Sequence, residues 1–113
     1  VRRYRVRRAT DVAHDLDLIE EHLVQSYREF GDDVEDAVER AAARIDDALA
    51  YMWTFETHPH RGTEHADIRP GVRTVTDKRF VFYFEIDEYA LEVRILAIFF
   101  GGVDHRRQIM DRL

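Results

Sequence analysis

The apolar positions of this chain change period along its length. Arg3-Tyr4-Arg5-Val6-Arg7 alternates with a period of two, which predicts a half-buried strand with one charged face. Val12, Leu16, Ile19, Leu23 and Tyr27 then recur at three and four, the stripe of an amphipathic helix. Thr10-Asp11 is a suitable N-cap for it, and Gly31 a suitable stop. Asp32 and Asp33 open a second helix, placed favourably at its positive end. Its stripe is Val34, Val38, Ala41, Ile45, Ala48, Leu49 and Met52. The link between the two stripes is so short that the helices must form an antiparallel hairpin. Ala41-Ala42-Ala43 allows a neighbour to approach closely.

Residues 56–71 break the periodicity and hold both prolines of the chain, which predicts a loop. Loops this long in a small domain are often functional. Val72-Arg73-Thr74-Val75-Thr76 is a short strand, and Asp77-Lys78 a turn. Phe80–Ile86 and Leu91–Phe100 follow as two strongly apolar strands. Phe80, Phe82, Phe84 and Ile86 share one face of the first. Leu91, Val93, Ile95, Ala97 and Phe99 share one face of the second, with Leu96, Ile98 and Phe100 on the other. A strand apolar on both faces is central and covered on both sides. Gly101-Gly102 permits a sharp turn into a terminal helix, Val103–Leu113, that packs through Val103, Ile109, Met110 and Leu113. The order strand, helix, helix, three strands, short helix predicts one α+β domain over residues 1–113. In it a helical hairpin lies on an antiparallel sheet of about four strands, the first strand being added at one edge.

Charge changes the picture more than composition does. The net charge of −6 is unevenly spread. Residues 11–47 carry 13 acids and 3 bases, whereas the remainder carries 10 acids and 14 bases. Sixteen of the 17 bases are arginine, the side chain whose planar fork suits carboxylates and phosphates. Two surfaces of opposite sign are expected. The acidic hairpin could meet a basic partner or mimic nucleic acid, or its acids could simply solvate the helices. There is no cysteine, hence no disulfide, thiol nucleophile or thiolate metal site. No apolar run is long enough for a membrane span, and no apolar core follows the basic first residues as in a secretory leader. A cytoplasmic protein is expected.

His58, His60 and His65 invite a metal reading, but no pattern of carboxylate or thiolate ligands accompanies them, and no metal or cofactor is expected. His14 is expected in solvent and His22 at the edge of the first helix's stripe. Trp53 is expected to plug the end of the helical hairpin, the alternative being an exposed partner anchor. No Walker loop, dinucleotide fingerprint, catalytic triad or zinc-protease motif occurs.

Three segments carry a resemblance. His60-Arg61-Gly62-Thr63, Asp67-Ile68-Arg69-Pro70-Gly71-Val72-Arg73 and Ile98-Phe99-Phe100-Gly101-Gly102-Val103-Asp104-His105, in this order and element context, resemble the RelE/ParE superfamily of type II toxins, in its ParE-like, plasmid-stabilisation branch. The resemblance runs over nearly the whole chain. It implies a toxin neutralised by a cognate antitoxin, whose C-terminal segment folds along a groove over the sheet and helices. Dimers or larger toxin–antitoxin assemblies are implied as well. ParE-like members inhibit DNA gyrase, whereas RelE-like members cleave mRNA on the ribosome.

The two targets make different demands. Metal-free RNA cleavage needs a base for the 2′-hydroxyl, cations for the phosphate and an acid for the leaving oxygen. His105, Arg73 and Arg79, with Lys78 at the turn, are the candidates. Arginine is no ready base, and an acidic chain with one lysine lacks the converging cations of the family's ribonucleases. The plain alternative for Arg73 and Arg79 is surface pairing with Asp77 and Glu85. We therefore expect no catalytic residue, and a toxin that binds DNA gyrase. Arg61, Arg69, Arg73, Arg79, Arg106 and Arg107 are expected to make the polar contacts with antitoxin or target, and apolar residues of the exposed sheet face to anchor the antitoxin tail. The alternatives are a ribosome-dependent endoribonuclease, or an antitoxin-binding module without toxicity.

Overall fold

The computed structural model of the chain describes residues 2–102 and 105–113. β1 (Arg5–Arg8) is followed by α1 (Asp11–Glu29), α2 (Val34–Trp53) and a 3-10 turn (Thr54–Glu56). Then come β2 (Thr63–Glu64), β3 (Arg73–Asp77), β4 (Phe80–Asp87), β5 (Glu92–Phe100) and α3 (Arg106–Arg112). The sheet order is β1-β5-β4-β3-β2. β1 runs parallel to β5, and the other neighbours are antiparallel. This is the α+β arrangement expected, with one more strand. β2 lies inside the predicted loop, where Thr63 and Glu64 pair with Thr74 and Arg73.

The hairpin is set by its caps. Thr10 makes no side-chain cap bond, so α1 starts without the predicted one. At its other end Gly31 (φ +109°) takes the left-handed conformation. The Gly31 amide donates to the Arg28 carbonyl and the Asp32 amide to that of Tyr27, a Schellman closure. Asp33 caps α2 by accepting the Asp36 amide at 2.8 Å. Asp32 pairs with Arg40, which also lies over the Tyr27 ring at 4.0 Å.

The main core lies between the hairpin and one sheet face. Val12, Leu16, Ile19 and Leu23 of α1 and Ala41, Ala48 and Met52 of α2 pack on Phe80, Phe82, Phe84, Val93, Ile95 and Ile98. In the first turns of α2 the buried residue is Ala37, while Val34 and Val38 are about half exposed, contrary to the predicted stripe. Trp53 is also 47% exposed. Trp53 follows the buried Met52 by one helical step of about 100°, which turns it out of the core. The following 3-10 turn brings Phe55 in instead, against Phe82 and Phe84.

A β-bulge divides β5. Tyr83 pairs with Ala97 and Phe84 with Ile95, leaving Leu96 as the extra residue. The face alternation slips there. Leu96, Ala97 and Phe99 face away from the hairpin and pack with Val72, Tyr83 and Ile109 in a second cluster. Ala97 and Phe99 thus do not share a face with Ile95, as strict alternation predicted. Ile109 alone anchors α3 in full burial, since Met110 and Leu113 are exposed. The predicted packing of Val103 lies outside the described residues.

The β3–β4 turn is strained. Lys78 (φ +48°) and Arg79 (φ +73°) both take left-handed conformations, which cost L-residues roughly 1–2 kcal/mol each. A tight hairpin turn of this kind favours Asn-Gly. Replacing Lys78 by Asn and Arg79 by Gly together should raise stability by about 1 kcal/mol, after loss of the Arg79–Phe100 ring contact. In thermal unfolding this appears as a rise of about 4 °C in Tm; a fall would contradict the strain argument.

Candidate functional site

The six predicted arginines are not equivalent. Arg61 is built into the loop: it donates to the His58 carbonyl, to Thr54 Oγ1 at 2.8 Å and to the Thr54 carbonyl at 3.1 Å. Its guanidinium lies over the Phe55 and Tyr51 rings. Arg73 points to the hairpin side of the sheet, level with Phe84. It donates to the carbonyls of Arg61 (3.1 Å) and Gly62 (3.3 Å), and pairs with neither Asp77 nor Glu85. Arg69 and Arg94 bind Glu85 instead, at 2.8 and 3.0 Å. Arg106 pairs with Asp67 and, foremost by that hydrogen bond, holds its carboxyl below the usual carboxylate range. Arg79 is exposed and stacks over Phe100 at 5.1 Å. Arg107 is exposed on α3.

His105 is buried at 9% exposure. Its ring stacks on Phe99 at 4.7 Å with 21° between the planes, and its Nδ1 faces Gln108 at 3.3 Å. Its Nε2 is buried and has no hydrogen-bond partner among the described residues. Phe99 and Phe100 point to opposite faces of the sheet, so the ring under His105 and the ring under Arg79 are separated by the sheet itself. Arg73 and the Lys78–Arg79 turn lie at opposite ends of β3, roughly 14 Å apart along the strand. His105, Arg73 and Arg79 therefore do not converge on one point.

What does converge is a cleft of about 590 Å³ between α1, the end of β5 and α3. Leu18, His22, Ile98, Phe99, Phe100 and His105 line it. β1 accompanies β5 only as far as Ile95, so beyond it β5 has no strand neighbour on that side among the described residues. The Gly101 amide bonds to the Arg79 carbonyl, which fixes the alternation and turns the peptide groups of Phe100 away from β4.

One residue at this cleft leaves almost no signal in the sequence. Asp15, only 3% exposed, sits among the acids of α1. It accepts the Ile98 amide at 3.0 Å, where β5 runs on past β1. It also accepts both terminal nitrogens of Arg112, one at 2.7 Å. Arg112 in turn reaches the Leu96 carbonyl and lies over the Phe99 ring. The Asp15 hydrogen bond, above all, raises the Arg112 pKa. One carboxylate thus ties α1, β5 and α3 together. Its position on the stripe side, three residues after Val12 and four before Ile19, is the only hint of burial.

The three loop histidines go separate ways. His58 Nδ1 meets Thr57 Oγ1 at 2.9 Å, and His65 Nε2 meets Thr74 Oγ1 at 2.8 Å. His60 Nε2 meets Glu88, which also accepts the Tyr4 hydroxyl at 2.7 Å. The Tyr4 and His60 hydrogen bonds lower the Glu88 pKa, and the same bond raises that of Tyr4. This cluster fastens the loop and the start of β1 to the β4–β5 turn. His14 is exposed as expected, and so is His22, whose ring lies 6.0 Å from that of Phe100.

No family model matches the sequence, and no curated protein matches it. Solved structures do. A chain of the chromosomal ParDE toxin–antitoxin system from P. aeruginosa is 24% identical, with 88% of this chain and 97% of that one covered and a TM-score of 0.66. A chain of the toxin–antitoxin complex RelBE2 from Mycobacterium tuberculosis is 15% identical, with 88% and 99% covered and a TM-score of 0.53. Both likenesses span nearly the whole length, and at these identities what they establish is the fold: this chain has the RelE/ParE architecture.

Proposed function

We propose that this chain is the toxin of a type II toxin–antitoxin system, that it acts in the cytoplasm by binding DNA gyrase, and that a cognate antitoxin neutralises it. One observation carries the choice of target. The groups that RNA cleavage would need, His105, Arg73 and Arg79, are divided between two faces of the sheet and two ends of β3. Transfer of a proton and neutralisation of a phosphate must happen at one place. A toxin without such a convergence acts by contact. The higher identity and TM-score of the ParDE chain favour the same branch.

The antitoxin tail fits the cleft between α1, β5 and α3. Its apolar side chains would cover Leu18, Phe99 and Phe100, and its backbone would meet the open edge of β5. Arg79 and Arg107 are the cations best placed for its carboxylates. Arg61, Arg69, Arg73 and Arg106 already serve partners within the chain and contribute by holding the loop and α3 in place. The strained turn fits this reading, since it presents two cations where Asn-Gly would be more stable.

His105 separates this reading from the ribonuclease. His105→Phe keeps the stack on Phe99 and removes both ring nitrogens. Growth arrest by the variant is expected to equal that of the parent chain, with antitoxin rescue intact. Loss of toxicity from a variant of unchanged Tm and antitoxin affinity would place His105 in chemistry.

A further inference from the structure

β1 and the residues before it form the most concentrated charge in the chain. Arg2, Arg3, Arg5, Arg7 and Arg8 are all exposed, and no acid occurs before Asp11. Arg7 faces Glu92 at 3.7 Å, and Arg2 lies in the field of Glu88. Among the described residues the side chains of Arg3, Arg5 and Arg8 have no hydrogen bond or ion pair. β1 is the first strand of the sheet, so among the described residues no strand borders its outer edge. Val6 packs on the main core, and Arg5 and Arg7, alternating with it, point to the other face. The sheet therefore stands between these two arginines and the acidic hairpin.

We infer that this edge is a sequence-independent binding site for the phosphate backbone of a nucleic acid, separate from the cleft and from the gyrase reading. The spacing suits it. Arg5 and Arg7 are two residues apart on an extended strand, about 6.7 Å, close to the separation of successive phosphates on an extended nucleic-acid strand. Guanidinium forks bind phosphate oxygens in pairs. The edge offers no apolar anchor, because Tyr4 is buried and Val6 faces the core. Tight peptide binding needs such anchors, whereas a repeating chain of charges does not. A single charge would blunt the edge against strand pairing, so protection from aggregation leaves most of these arginines unexplained.

The test uses the whole chain and a fluorescein-labelled oligothymidylate roughly 20 nucleotides long, followed by anisotropy between about 50 and 200 mM salt. Binding is expected at low salt although the protein carries a net charge of −6. Arg3→Ser/Arg5→Ser/Arg7→Ser should weaken it at least about ten-fold at low salt and flatten the log–log salt slope by about 2, near 0.7 per phosphate contact on a single strand. Arg28→Ser, a loss of one exposed arginine on the acidic hairpin, should change neither value. Equal Tm of all variants confirms that the edge substitutions leave the fold intact. No binding at low salt, or binding unchanged in the triple variant, overturns the site. Tighter binding of labelled poly-glutamate than of the oligonucleotide overturns it in favour of an acidic polypeptide.

Discussion

Replacing Asp15 by alanine should cost about 3 kcal/mol of stability, the low end of the range for breaking a buried ion pair. The side chain is 2% exposed, whereas that of Arg112 is 23% exposed, so the stranded guanidinium recovers part of its loss in water. The Ile98 amide recovers less, because it is buried and β1 stops short of it, so no strand supplies another acceptor. The loss should be felt first at α3, whose other anchors are Ile109 and the Arg106–Asp67 pair. Chemical denaturation gives the total, and hydrogen exchange at residues 106–112 gives the local part. Asp15→Asn keeps an acceptor for Ile98 without the charge and should fall between the two. A loss below about 1 kcal/mol for alanine would show that the Asp15–Arg112 pair holds nothing together.

Gly62→Ala should be at least as damaging. A Cβ at residue 62 would lie 2.0 Å from the Thr74 carbonyl oxygen and 2.8 Å from its carbon. The obstacle is backbone, which cannot swing aside, and φ at Gly62 is +75°. The loop would have to lift from β3. That movement breaks the Thr63–Thr74 pairing and the Arg73 bond to the Gly62 carbonyl. A cost of about 3 kcal/mol, or roughly 10 °C in Tm, is expected, with new protease cleavage within residues 57–72. A Tm within about 2 °C of the parent would mean that the loop is not held as described.

These two positions show what the sequence could and could not tell. The helical hairpin and the aromatic face of β4 followed from periodicity, because burial of a stripe or a strand face leaves a regular trace, and the edge position of β1 followed from the order of the elements. Gly62 lies within the His60–Thr63 segment that carries the resemblance, but its close contact with a strand a dozen residues away has no local signature. Asp15 was hidden for the same reason: its partners lie 83 and 97 residues along the chain. The bulge at Leu96 was invisible because both faces of β5 are apolar, so a slip of one residue leaves the pattern unchanged. Val34, Val38 and Trp53 looked like core because they are large and apolar at helical spacing. The core took Ala37 and Phe55 in their place, for reasons of helix approach and of the 3-10 turn. Among the predicted cations, sequence distinguished none. Geometry divides them into those that brace the loop, those paired with carboxylates, and Arg79 and Arg107.

The most direct test of the central claim is gyrase supercoiling of relaxed plasmid, with gyrase from the same source and the purified chain titrated in. Inhibition, or accumulation of cleaved plasmid, is expected, relieved by the cognate antitoxin and unchanged by His105→Phe. No effect at large excess, from folded protein that arrests growth in cells, would contradict it and direct the search to mRNA on the ribosome.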